Sequence, residues 1–135
     1  MGTLGVVLDT NVLVSALGFG GPPLEALLAT FDEHIRLVAS ADTLTELERV
    51  MEYDHLPFTE SDRVQYLAIL RREADIVRPE ESLDIVRDSD DDTFLEVALA
   101  ADAEYVVAGD EDVLVVGSFR DVDIVPPAEF VRRIS

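Results

Sequence analysis

The 135-residue sequence contains no cysteine. That excludes disulfides, zinc–thiolate centres and thiol nucleophiles. It contains no lysine either: all 10 basic residues are arginine. Schiff-base chemistry and a P-loop lysine are therefore excluded. Positive charge is scarce overall, with 10 basic residues against 29 acidic ones and a formal net charge of −19. Such a surface disfavours nucleic acid at ordinary salt. No apolar run approaches the ~20 residues that cross a bilayer. There is no basic start followed by an apolar stretch, so neither a membrane span nor a signal peptide is expected. The expected location is the cytoplasm. Internal repeats, linkers and low-complexity tracts are also missing.

What is present points to a folded domain. Hydrophobic residues make up 48% of the chain, too many for a disordered acidic polymer. The length fits one domain over 1–135, burying roughly two thirds of its unfolded surface. The acidic excess destabilises a compact state by self-repulsion at low salt. At about 1 M salt the Debye length falls to roughly 3 Å and this repulsion fades. The expectation is a halophilic protein whose melting temperature rises with KCl.

Strands and helices alternate. The apolar run 4–8 (LGVVL) reads as a buried strand ending at Asp9. A helix is expected over 11–17, broken by Gly18-Phe19-Gly20-Gly21. Pro22-Pro23 opens the next helix, proline being suited to a first turn. A second strand falls at 35–39, helices at 43–53 and 61–74, and a short extended piece at 75–78. The acid cluster Asp88-Ser89-Asp90-Asp91-Asp92 leads into a helix over 93–101. Strands at 104–108 and 122–125, a helical turn after Asp112 and a helix after Pro126-Pro127 complete the chain. This order predicts a three-layer α/β/α domain with a mainly parallel central sheet. Ligands of such sheets bind beyond the carboxyl ends of the strands. Asp9 and Asp110 both follow predicted strands.

Each acid has two roles open to it. Asp9 closes an apolar strand, where a carboxylate is costly unless paired, hydrogen-bonded or metal-bound; it also suits the N-cap of the next helix. Glu46, in the predicted first turn of its helix, fits the capping box Thr43-x-x-Glu46 or a pocket. Glu48 faces another side of that helix. Asp88, Asp90, Asp91 and Asp92 crowd charge that cations would relieve. They do not form an EF-hand loop, because Thr93 stands where glycine is required and Leu99 where glutamate is. Asp110 and Asp112 fit a turn and cap or a pocket. His34 and His55 are isolated, the serines have no neighbouring histidine for a triad, and the 18–21 glycine cluster is no phosphate loop. Four separated segments nevertheless place a carboxylate at a strand end or helix start. Oxygen ligands of this kind suit Mg²⁺ or Mn²⁺.

At this point a resemblance becomes visible. LDTNVLVSAL at 8–17, SADTLTELERVM at 40–51, RDSDDDTFLEVALAADAEYVVAGDEDVL at 87–114 and VPPAEFV at 125–131 resemble the PIN domain. The branch they resemble is that of VapC-like toxins of toxin–antitoxin pairs. The resemblance implies a PIN-like fold and a ribonuclease that cuts single-stranded RNA using Mg²⁺ or Mn²⁺ held by carboxylates. Carried across, the four acids are Asp9, Glu46, Asp91 and Asp110. Asn11, Asp92 and Asp112 fall on supporting positions. One departure is Ala108, where the family usually has Thr or Ser. The resemblance also implies an antitoxin protein as partner and, by analogy, a homodimer.

The implied chemistry is metal-assisted phosphodiester hydrolysis, in which the acids ligate metal or orient water rather than attack. Arg36, Arg49, Arg87 and Arg120 are candidates to meet RNA phosphates. An aspartyl-phosphate phosphatase or a phospho-receiver domain fits less well: both need a lysine, and the former needs an acid where Asn11 stands. The other reading is a PIN scaffold that has lost activity and serves as an interaction module.

Overall fold

The computed structural model describes residues 3–83 and 89–135, without the side chains of 89–91. In chain order the elements are β1 (Leu4–Leu8), α1 (Thr10–Phe19), α2 (Gly21–Ala29), β2 (Ile35–Ala39), α3 (Ala41–Met51), α4 (Glu60–Glu73), β3 (Asp75–Ile76), α5 (Ser89–Ala100), β4 (Tyr105–Val107), α6 (Glu111–Leu114), β5 (Ser118–Phe119), β6 (Val122–Val125) and α7 (Pro127–Ile134). The strands form one sheet in the order β3-β2-β1-β4-β6-β5. All pairings are parallel except β5 with β6. The predicted α/β class, mainly parallel, is what the chain adopts.

The layers follow from strand alternation. Val6, Leu8, Leu37, Ala39, Val107 and Val125 point to one face, where α1, α2, α3, α4 and α7 supply Leu13, Leu27, Leu47, Leu70 and Phe130. Val7, Val38, Val106, Ala108 and Ile124 point to the other, covered by α5 and α6 through Leu95, Val97, Ala98 and Val113. Sheet strands buried on both faces read as continuous apolar runs, which is why they were legible.

Several boundaries differ from expectation. α1 continues past Gly18 because that glycine leaves room for Phe58: an added Cβ would lie 3.1 Å from its ring. The chain turns instead at Gly20 and Gly21, whose φ values of +77° and +70° favour glycine. α5 begins at Ser89, four residues before the expected start at 93. Acidic residues favour the positive end of a helix dipole, so residues 89–92 of the cluster lie inside the first turn rather than before it; Asp88 is outside the described residues. The hairpin strand β5 was not foreseen; its turn uses Arg120 and Asp121 at positive φ, with no glycine to signal it. Among the described residues, no single helix is long and apolar enough to cross a membrane.

Topology fixes where a site can form. From β1 the chain builds outward through β2 and β3, then returns to place β4 against the other side of β1. The crevice at such a reversal lies outside the carboxyl ends of the two central strands. Here those strands are β1 and β4, with Leu8 beside Val107.

Candidate active site

Asp9 follows β1 and stands at that crevice. Its backbone N–H donates to the Val107 carbonyl at 3.0 Å, tying the ends of β1 and β4 together. Its Oδ1 accepts the Val12 N–H at 2.7 Å, so Asp9 is the N-cap of α1. The residue is only 2% exposed. Capping and ligation are compatible, because a carboxylate offers about four acceptor positions and the cap uses one. Asn11, two residues on, is exposed on the first turn of α1.

Asp110 follows β4. It is the N-cap of α6, with Oδ1 accepting the Asp112 N–H at 2.8 Å. Asp110 is exposed and Asp112 half-buried. Asp110 and Asn11 line the same cleft of about 480 Å³, together with Ser15 and prolines of α2 and α7.

Glu46 corrects one expectation. The capping box of α3 is formed by Ser40 and Thr43, not by Thr43 and Glu46: the Thr43 N–H reaches Ser40 Oγ at 3.1 Å, and the Ser40 N–H reaches Thr43 Oγ1 at 3.0 Å. The helix starts at Ala41, so Glu46 lies in the second turn rather than the first and has no capping duty. It is half-buried and approaches Arg49 at 4.0 Å. Glu48 faces α4, pairing with Arg71 at 3.1 Å.

Asp91 lies in the first turn of α5, and its side chain is outside the described residues, as are that of Asp90 and all of Asp88. Asp92 is 1% exposed. It is carried by a helix packed on β1, β2 and β4. Two acids, Asp9 and Asp92, are therefore nearly sealed from solvent. Among the described residues, which do not include the Asp91 side chain, no three Asp, Glu or His side chains gather into a cage. The donor chemistry fits a hard divalent cation: all predicted ligands are carboxylate oxygens, and a buried carboxylate is costly unless compensated.

Of the arginines proposed for RNA, Arg36 and Arg120 are corrected. Arg36 lies near the amino end of β2, donating to Asp75 at 2.7 Å and to the Ala101 carbonyl at 2.6 Å. Arg120 sits in the turn before β6 and pairs with Glu81 at 2.7 Å. Both are at the end of the sheet away from Asp9. Arg49 stays beside Glu46, and Arg87 is outside the described residues. His34 and His55 are exposed. Ala108 is fully buried in the apolar layer under α5. Sequence reading passed over Ser15 except as a nucleophile. Its signal was the i, i+4 spacing from Asn11, which puts both on one helix face.

A doubly wound parallel sheet with acids at its topological reversal defines a class of α/β proteins whose ligands bind beyond the strand ends. The comparisons narrow it. A family model described as the PIN domain matches residues 5–112, and the chain belongs to the PIN-domain family. PIN domains are generally nucleases, and they generally use divalent metals. Among solved structures, a chain of VapBC2 from Rickettsia felis, determined bound to a DNA fragment from its promoter, superposes with a TM-score of 0.61 at 15% identity. The match covers 90% of this chain and 97% of that one. No curated protein sequence matches significantly.

Proposed function

We propose that this protein is a divalent-metal-dependent endoribonuclease that hydrolyses single-stranded RNA, with Asp9, Glu46, Asp91 and Asp110 as its acids. The observation that carries this is the position of Asp9 and Asp110, which follow the two strands flanking the sheet's reversal in a PIN-family chain. Asn11, Asp92 and Asp112 support the pocket. Mg²⁺ or Mn²⁺, when bound, supplies an activated water and neutralises charge on the scissile phosphate.

The chain's own part is positioning. The Val12 N–H fixes the Asp9 carboxylate, and the Asp112 N–H fixes that of Asp110. Burial of Asp9 and Asp92 excludes water from their surroundings. Arg49 lies close enough to Glu46 to orient it. The acids act as ligands and orient water; acting as nucleophiles would leave them facing an anionic phosphate.

The VapBC2 likeness supports a toxin of a type II toxin–antitoxin pair, with an antitoxin as partner and a homodimer as assembly. The acid excess supports work in a salty cytoplasm, as one domain spanning 1–135. A second reading, an inactive interaction module, draws on Ala108, whose buried methyl replaces a hydroxyl.

The test is cleavage of single-stranded RNA by purified protein in high KCl with Mn²⁺, against an EDTA control. Cleavage that needs Mn²⁺ and disappears in Asp91→Asn is expected. No cleavage under these conditions leaves the interaction module, and undiminished cleavage by Asp91→Asn removes the acid assignment. Melting temperature should climb between low and molar KCl; a flat curve removes the halophilic reading.

A further inference from the structure

We propose that the cleft beside Asp110 is a nucleobase subsite, holding one unpaired base of the RNA strand cut at the acid rim. The identity of the strand rests on the nuclease reading above; the cleft's preference for a flat uncharged ring rests on its own walls. Its volume of about 480 Å³ falls in the range of roughly 300–1,000 Å³ that holds small ligands. Prolines 22, 23, 126 and 127 make the walls. Proline side chains lose almost no rotamer freedom when a ligand settles on them, so the surface is rigid before binding.

Charge selects the occupant. Among the described residues no arginine or histidine lines the cleft, and the one ionisable wall group is Asp110. In the metal-free protein a phosphate would meet repulsion there, with no cationic side chain among the described lining residues to offset it. A heterocyclic base carries no charge and is not repelled. Polar recognition comes from Asn11 and Ser15, one helical turn apart on α1. The amide donates and accepts, and the hydroxyl does both. That mixed pattern is what the edge of a nucleobase presents.

Position links the subsite to the chemistry. Asn11 and Asp110 belong both to the cleft and to the acid rim, so a base in the cleft places an adjoining phosphate of the same strand at the rim. A base held in a duplex keeps its pairing edge occupied and cannot turn it into the cleft; sequence-specific RNA recognition mostly takes unpaired bases, whose edges are free.

Adenosine, guanosine, cytidine and uridine separate this proposal from the nuclease reading, because they carry no phosphate and need no metal. Each is titrated into the ¹⁵N-labelled full chain in high KCl with EDTA. At least one should shift the amides of residues 11, 15, 109 and 128 saturably. Ala128→Phe fills the cleft from an exposed helix start and should remove those shifts. In the Mn²⁺ assay it should raise KM for a single-stranded oligoribonucleotide by about tenfold, the scale of losing one stacked base, and more than it lowers kcat. Ser15→Ala leaves the cleft open and should weaken nucleoside binding without touching the rim acids. If no nucleoside moves these amides while RNA is still cleaved, the subsite is wrong and the nuclease stands. If a nucleoside binds there but RNA is never cleaved, the subsite stands and the nuclease reading fails. Shifts produced only by a peptide partner would overturn the subsite and make the cleft a protein-docking surface.

Discussion

The two ends of the sheet treat charge in opposite ways. At the amino end, arginines are paired with acids. Arg36 holds Asp75 at 2.7 Å, and Arg133 holds Asp123 at 3.0 Å. Arg120, in the turn entering β6, holds Glu81 at 2.7 Å. At the carboxyl end, the segments 9–11, 40–46, 89–92 and 109–112 carry acids and no basic residue at all, and 126–128 carries no charge. Arg49 reaches that end only from further along α3, 4.0 Å from Glu46. A chain selected for stability alone would spread its few cations over both ends. If these acids converge as proposed, like charges at one crevice would repel, and a bound cation would relieve them. On the proposed function, the contrast separates a structural end from a chemical one.

The sharpest way to break that comparison is Asp9→Asn set against Asp123→Asn. Asparagine caps a helix about as well as aspartate, so Asp9→Asn keeps α1 while removing a charged ligand. RNA cleavage should fall more than about 100-fold, beyond what losing a residue that only orients a metal ligand costs. Asp123→Asn removes a partly exposed acid at the other end and should change cleavage by less than about twofold. Equal losses in the two variants would erase the distinction between the ends.

Cation binding gives the next largest effect. At a Mn²⁺ concentration near 100 times Kd, a single site stabilises the fold by about 2.7 kcal/mol. Melting scans with and without Mn²⁺ should differ by several degrees, and the difference should vanish in Asp9→Asn. Persistence of the shift in that variant would place the ion elsewhere. At the amino end, Arg36→Ala should destabilise by about 1–2 kcal/mol, since the Ala101 carbonyl loses its 2.6 Å donor. Denaturant titration reads this loss. Mn²⁺ should still stabilise the variant as it does the parent.

The layers were legible because strands such as Leu4–Leu8 are buried on both faces and carry their apolar character in every residue. Asp9 was legible as a cap for the same local reason: a short acid between an apolar strand and a helix has few other duties. Glu46 was not. Thr43-x-x-Glu46 and Ser40-x-x-Thr43 are both plausible boxes in sequence, and which one closes depends on where β2 stops. Pairing of Val38 with Asp75 and Ala39 with Ile76 holds the strand through Ala39, so Ser40 takes the cap. The proline cleft was illegible for a different reason. Its walls come from the starts of α1, α2 and α7 and the segment after β4, and only the strand order brings those four starts together. Arg36 failed as an RNA contact because a strand residue's distance from the carboxyl end is visible only once the register is known.

The smallest effect tests the reassigned cap on α3. Ser40→Ala removes the hydroxyl that receives the Thr43 N–H and should cost about 1 kcal/mol in denaturant unfolding. Glu46→Gln should cost under about 0.5 kcal/mol, because its ion pair with Arg49 is long at 4.0 Å and partly exposed. The activities should run the other way, with Ser40→Ala nearly unchanged per folded molecule and Glu46→Gln strongly impaired. If Glu46→Gln instead destabilises as much as Ser40→Ala and cleaves normally, Glu46 is a structural residue. The acid rim would then consist of Asp9, Asp91 and Asp110 alone.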